Sequence, residues 1–347
     1  MGKTAAQASG ASTDATAEET LQTILRFAAG TTGAFVVSEW MGWYPSFLAP
    51  LLAGVLLANL PAAPPLKVGL VLVLVQAVGA YSAYFLAALL HEIPIVLFGT
   101  IALILLLCFA NLAQGRGFLP ILLVLISYAT VPVVTMIAPQ QSGSLAFALT
   151  RGMAVAVIAV WLAHAFWPKT SPPKAPPAQA AFDFPIATAL TGVAIVMPLM
   201  LLYLMYGITD ALPVLITTVV LVINFDPQKS AMQGFAMMLG NFVGGLVAII
   251  AYALLQAAPS LATLALITFL IAMIFAVRIE RGGPAGAVGL ITFNQSIVLF
   301  SLSLAPGGSG TGLWVTRLVQ FGIACLFAIG MMTLLWPRLR RLECPAS

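Results

Sequence analysis

A chain of 347 residues, 61% hydrophobic and only 7% charged, with a mean hydropathy of +1.08, is not a water-soluble domain. At about 20 apolar residues per crossing it has room for about ten to twelve membrane helices and short loops, and none for a folded soluble domain. The net charge of +4 comes from basic residues standing singly at helix ends, which argues against nucleic-acid binding, and continuous apolar runs argue against a β-barrel.

Residues 1–20 are polar, small and acidic and read as a disordered cytoplasmic tail. Six apolar runs follow, at about 23–41, 45–60, 67–90, 93–113, 118–137 and 145–167. Residues 169–183, with Pro172, Pro173, Pro176 and Pro177, favour an extended conformation and read as a cytoplasmic linker. Six more runs come next, at about 184–206, 211–224, 230–256, 259–278, 284–304 and 313–336, and 338–347 form a basic cytoplasmic tail. Cys108 and Cys325 lie inside apolar runs and read as packing residues.

The two halves resemble each other. At an offset of 165, Asn59 falls on Asn224, Gly79 on Gly244, Pro94 on Pro259 and Arg116 on Arg281. Each half ends in Trp-Pro and a base, Trp167-Pro168-Lys169 and Trp336-Pro337-Arg338. The expected fold is an all-α polytopic membrane protein with about twelve transmembrane helices, arranged as two six-helix parallel repeats, 21–168 and 184–337. An even number of spans per half predicts a pseudo-twofold axis along the membrane normal. With both termini in the cytoplasm, all but two of the 14 basic residues lie on the inner side, as the positive-inside rule requires.

The two exceptions, Arg151 and Arg317, sit near the outer ends of the last helices of their halves. A cation near a helix N-terminus opposes the macrodipole, so each is expected to have an anionic or carbonyl partner, to contact an anionic substrate, or to snorkel to the headgroups. Near the midplane, the fifth run carries Ser127, Tyr128, Thr130 and Pro132, and the eleventh carries Thr292, Asn294, Gln295 and Ser296. Such groups would be costly in lipid, so they are expected to face the protein interior, as a substrate site or as hydrogen-bonding glue between helices. Gln76 and Asn241 each head a stripe of small residues, Gly79, Ala80 and Ala83 in one and Gly244, Gly245 and Ala248 in the other. That spacing suits close helix packing, and the two amides can still line a cavity. Glu39 and Asp210, at the outer membrane edge, are the candidate proton-coupling carboxylates.

There is no Walker loop, dinucleotide glycine motif, paired-Cys metal spacing or nucleophile elbow, so an enzyme is not expected and neither is a cofactor or metal.

Leu239-Gly240-Asn241-Phe242-Val243-Gly244-Gly245, the helix from Arg151 to Trp167-Pro168 and its copy from Arg317 to Trp336-Pro337 give the chain its family likeness. With the six-plus-six plan, it resembles the fusaric acid resistance and aromatic acid exporter superfamily, here in a short form. The resemblance implies proton-driven export of small aromatic or other organic acids across the bacterial inner membrane. It also implies Arg151 and Arg317 as carboxylate contacts, and a periplasmic adaptor of the membrane-fusion type as partner. Typical members carry a large cytosolic domain where this chain has about fifteen Pro-rich residues. The expected partners are a small organic anion, the lipid bilayer and that adaptor, with a homo-oligomer open and no nucleic acid. Two rival readings stand beside export: a passive anion channel, and a non-transporting subunit that anchors an export complex.

Overall fold

The computed structural model describes residues 2–60, 62–138, 142–168, 185–207, 215, 218, 219, 227–305 and 310–343. Among these residues the chain is helical, with no strand. The helices are α1 (Gly2–Trp40), α2 (Leu48–Asn59), α3 (Leu66–Leu90), α4 (Pro94–Ala113), α5 (Phe118–Ile137) and α6 (Ser142–Phe166). They continue with α7 (Pro185–Tyr206), α8 (Pro227–Ala257), α9 (Leu261–Glu280), α10 (Gly283–Leu304) and α11 (Gly310–Glu343). Nine of them, α3 to α11, are long and apolar enough to cross a bilayer. The chain is a multi-pass membrane protein, and its spans match the runs read from the sequence to within a few residues. The run expected at 211–224 lies outside the described residues except for Leu215, Thr218 and Val219, and so does the linker.

Two ends differ from the sequence reading. α1 begins at Gly2 and runs through the segment read as a tail, where six alanines favour helix. α11 continues to Glu343, so Arg338, Arg340 and Arg341 are helical. α2, with 12 residues, is shorter than a crossing requires.

Local chemistry sets the other helix ends. Pro94 opens α4 at a position that needs no backbone N–H. Gly115 closes α4 with a φ of 74°, which costs glycine nothing, and two bonds satisfy terminal carbonyls: Gly115 N–H to Leu112 O at 3.0 Å, and Arg116 N–H to Asn111 O at 3.1 Å. Ser260 Oγ accepts from Thr263 N–H at 3.1 Å and caps α9. Large apolar side chains such as Leu70, Phe85, Leu89 and Ile95 are exposed, as suits a protein whose solvent is lipid.

The chain forms two compact units, and each takes helices from both halves. Unit one comprises residues 1–67, 152–176 and 243–310, and unit two comprises 68–151, 177–242 and 311–347. In unit one α1 packs on α2 and α9, and α10 packs on α9 and α2. In unit two α4 packs on α5 and α7, and α5 packs on α7. An offset of 165 carries α1 onto α7 and α4 onto α9, so the α1–α9 pair of one unit corresponds to the α7–α4 pair of the other. This correspondence is compatible with the six-helix repeat.

Candidate functional site

In unit two the polar centre of α5 is tied to α3. Gln76, buried on α3, donates from Nε2 to Ser127 Oγ at 3.0 Å, and Ser127 Oγ donates back along its own helix to Leu123 O at 2.8 Å. Tyr128 OH donates to Ser82 Oγ at 2.9 Å, and Ser82 Oγ donates to Gly79 O at 3.2 Å. Thr130 Oγ1 donates to Ile126 O at 2.7 Å within α5. α5 stays helical through Pro132. Gln76, Ser127 and Tyr128 therefore come together on one α3–α5 seam, while Thr130 bonds within its own helix. Gln76→Leu is expected to weaken the fold by roughly 0.6–1.7 kcal/mol, the range of interhelical hydrogen bonds in lipid, and a denaturant or thermal titration in detergent measures it.

Arg151 lies in the same unit. It is half-buried on α6, with its guanidinium carbon 5.3 Å from the centroid of the Phe147 ring, one turn earlier. The sequence reading begins this helix near 145; α6 begins at Ser142, so Arg151 stands nine residues in, roughly 13 Å along the axis. Arg317 lies on α11, the equivalent helix, with its side chain outside the described positions. Asn241 is buried on α8. Asp210 lies outside the described residues.

Unit one holds the second half of the candidate set. Gln295 is buried on α10, and Thr292 Oγ1 and Ser296 Oγ donate to Val288 O and Thr292 O, both at 2.8 Å. Gly244 of α8 lies against this stretch: a Cβ there would stand 2.9 Å from Thr292 O and 3.0 Å from Ser296 N. Gly79 in unit two meets Ser127 and Val124 in the same way, with a Cβ distance of 3.4 Å to Ser127 Oγ. Gly79 and Gly244, and Ser127 and Thr292, are the pairs that the offset of 165 aligns.

Asn294 faces α2. Its Oδ1 is 3.5 Å from where a Cβ of Gly54 would be; it is buried and takes no hydrogen bond from any described residue. Beside it, Phe293 meets Phe27 of α1 edge-on at 5.0 Å. Seven residues on, about 10 Å along the same face of α10, stands Ser301. Ser301 Oγ and Ser46 Oγ are hydrogen-bonded at 2.6 Å, and Ser46 Oγ donates to the Glu39 carboxylate at the end of α1. The result is a short line of polar groups, with the Glu39 carboxylate at one end and the Asn294 carbonyl on the same helix as Ser301.

Sequence reasoning picks out Glu39 and Asn294 singly and misses Ser46 and Ser301, which connect one of them to a second helix. The available signal was weak: Ser301 and Ser303 interrupt the apolar end of α10, and both are buried. It also misses Arg26, which is 5% exposed on α1.

Residues 193–331 match the family model described as fusaric acid resistance protein-like. Residues 23–163 match the model described as a protein of unknown function (DUF2955). The matches fall on either side of the Pro-rich linker, one in each half. No curated protein and no solved structure matches the chain.

Proposed function

We propose, from the premise that residues 193–331 form a fusaric acid resistance protein-like domain in a multi-pass membrane protein, that this chain exports small amphipathic organic anions, aromatic acids among them, in exchange for protons. The family membership supports a membrane-transport role of the efflux type. The observation that carries the finer reading is the Glu39–Ser46–Ser301 line. A carboxylate held among helices and bonded to hydroxyls has the chemistry to take up and release a proton, and intramembrane carboxylates commonly serve that purpose. Asn294 Oδ1, a buried acceptor without a donor among the described residues, is suited to a ligand hydroxyl or to a carboxylic acid in its protonated form. Arg151 and Arg317 are the candidates to attract the substrate's charge. In this reading the protein sits in the bacterial inner membrane with both termini in the cytoplasm, and a periplasmic adaptor carries the substrate onward.

Inside-out vesicles with an acid lumen test it, because export there reads as accumulation. With a panel of radiolabelled aromatic acids, at least one is expected to accumulate when the gradient is imposed and only to equilibrate when it is collapsed. Equilibration alone under both conditions would mean a channel. No flux from correctly folded protein would favour an anchoring subunit.

A further inference from the structure

The Glu39–Ser46–Ser301 line accepts more than it donates. Ser46 Oγ gives its one hydrogen to Glu39, so Ser301 Oγ supplies the hydrogen in the 2.6 Å bond between the two hydroxyls. Both lone pairs of Ser301, one of Ser46 and most of the carboxylate's remain open to a donor or a cation. The other hydroxyls of α10 behave differently. Thr292, Ser296 and Ser303 each donate to a carbonyl one turn back along their own helix, at 2.8 Å. Ser301 bonds across to Ser46 instead, and both of these serines are buried.

The local field is negative. Glu39 is the second-last residue of α1, and Ser301 lies three residues before the end of α10. The negative ends of two helix dipoles therefore meet here, where a carboxylate is disfavoured and a cation is favoured. Among the described residues no Lys, Arg or His lies within 4 Å of Glu39. The neighbouring helices supply no charge either. α2 and α10 carry no titratable residue. Arg278 and Glu280 of α9 stand by the α9–α10 turn, roughly 27 Å along α10 from Ser301. Arg26 is about 20 Å back along α1. On α6, Gly152 lies against Leu48 of α2, and His164 stands roughly 18 Å further along. Tyr44, in the α1–α2 turn, is exposed.

We propose that the Glu39–Ser46–Ser301 cluster binds a sodium ion, in competition with the proton, through the carboxylate and the two hydroxyl oxygens. All three donors are oxygen, which suits a hard cation. One carboxylate carries one charge, which matches a monovalent ion, whereas calcium sites are tuned by the number of charged ligands they gather. The oxygens stand close together, so the cage closes on a small ion and disfavours potassium. Glu39 is only half-buried, which leaves room for water to complete the shell. Binding to the ionised carboxylate displaces water alone. Binding to the protonated one releases its proton to solution, so the two cations exchange one for one. The ion's part in transport rests on the reading of Glu39 as the coupling carboxylate; its binding does not.

The test is equilibrium binding of radioactive sodium to the purified full chain in detergent, with choline chloride holding the ionic strength constant. Wild type is expected to bind sodium saturably at alkaline pH, and potassium is expected to compete poorly. Each unit fall in pH below the titration of the carboxylate should weaken binding about tenfold, as one proton displaces one ion. Glu39→Gln is expected to abolish saturable binding, and Ser301→Ala to weaken it about tenfold, the scale of one ligand to a charge. Ser303→Ala, which removes a hydroxyl bonded to its own helix, should leave it unchanged. No saturable binding by wild type would overturn the proposal. So would binding that survives Glu39→Gln, or equal competition by potassium. If Glu39→Gln does not fold, the contrast between Ser301→Ala and Ser303→Ala decides, and equal binding by those two would overturn the proposal. Vesicle accumulation in sodium-free choline buffer tests the coupling reading by itself. Accumulation there without sodium binding to the purified chain would retire the sodium site and keep proton coupling, and the opposite pair of results would do the reverse.

Discussion

Glu39→Gln is expected to abolish gradient-driven accumulation in inside-out vesicles while leaving substrate counterflow intact. One proton exchanged per substrate down a gradient of one pH unit supplies about 1.4 kcal/mol, enough for roughly tenfold accumulation. Glutamine retains the shape and can still accept from Ser46, so the α1–α10 contact through Ser301 survives. What it lacks is the change of charge, so the tenfold accumulation should fall to parity. Counterflow, in which unlabelled substrate drives labelled substrate across without a gradient, needs binding and the conformational cycle but no net proton movement. Loss of both activities in a folded variant would make Glu39 a structural group. Retention of accumulation would remove it from coupling and leave Asp210 as the remaining carboxylate candidate. Ser301→Ala should give a smaller defect, because it removes one hydroxyl from the line and leaves the carboxylate.

Gly244→Ala is expected to destabilise the protein by roughly 1–3 kcal/mol, the usual cost of forcing atoms into a packed interface. The added carbon would lie 2.9 Å from Thr292 O and 3.0 Å from Ser296 N. Both are backbone atoms of α10, so a side-chain rotation cannot relieve the clash and the helices must separate. Gly79→Ala is the informative control. Its Cβ would meet Ser127 Oγ at 3.4 Å and Val124 at 3.5 Å, which is ordinary contact, and alanine is the better helix former by about 1 kcal/mol. It should be neutral or mildly stabilising. The two glycines align in the sequence and face aligned partners, yet the substitutions should differ in sign. Thermal melts of the two purified variants in the same detergent would show it. Equal losses would mean that the α3–α5 and α8–α10 seams are packed alike.

Most of the helical plan was legible in the chain, because a bilayer imposes one local rule: about 20 apolar residues, with every backbone group bonded within the segment. That rule placed α2 to α10 and the start of α11 to within a few residues. It was weakest where the apolar signal was diluted, at α1 with its polar first half and at the basic end of α11. The offset of 165 was also visible, since equivalent glycines must recur wherever equivalent helices approach closely. Gln76, Ser127, Tyr128, Asn294 and Glu39 were recognisable as polar residues in apolar surroundings.

Their partners were not recognisable. Glu39 and Ser46 are seven residues apart, but Ser46 and Ser301 are separated by 255. Nothing in either local pattern names the other, because a serine in a membrane helix can bond within its own turn, as Thr130 does, or across to a neighbour, as Ser127 does from Gln76. The tertiary structure also decided that α1 packs on α9 and α4 on α7, so that each unit draws on both halves. In lipid, apolar faces are interchangeable and small-residue stripes fit many neighbours, so helix pairing follows from the summed fit of the whole bundle. The sequence by itself determined that the chain crosses the membrane many times. Only the tertiary structure decided which glycine touches backbone, which carboxylate is bonded across helices, and that Arg26 lies buried.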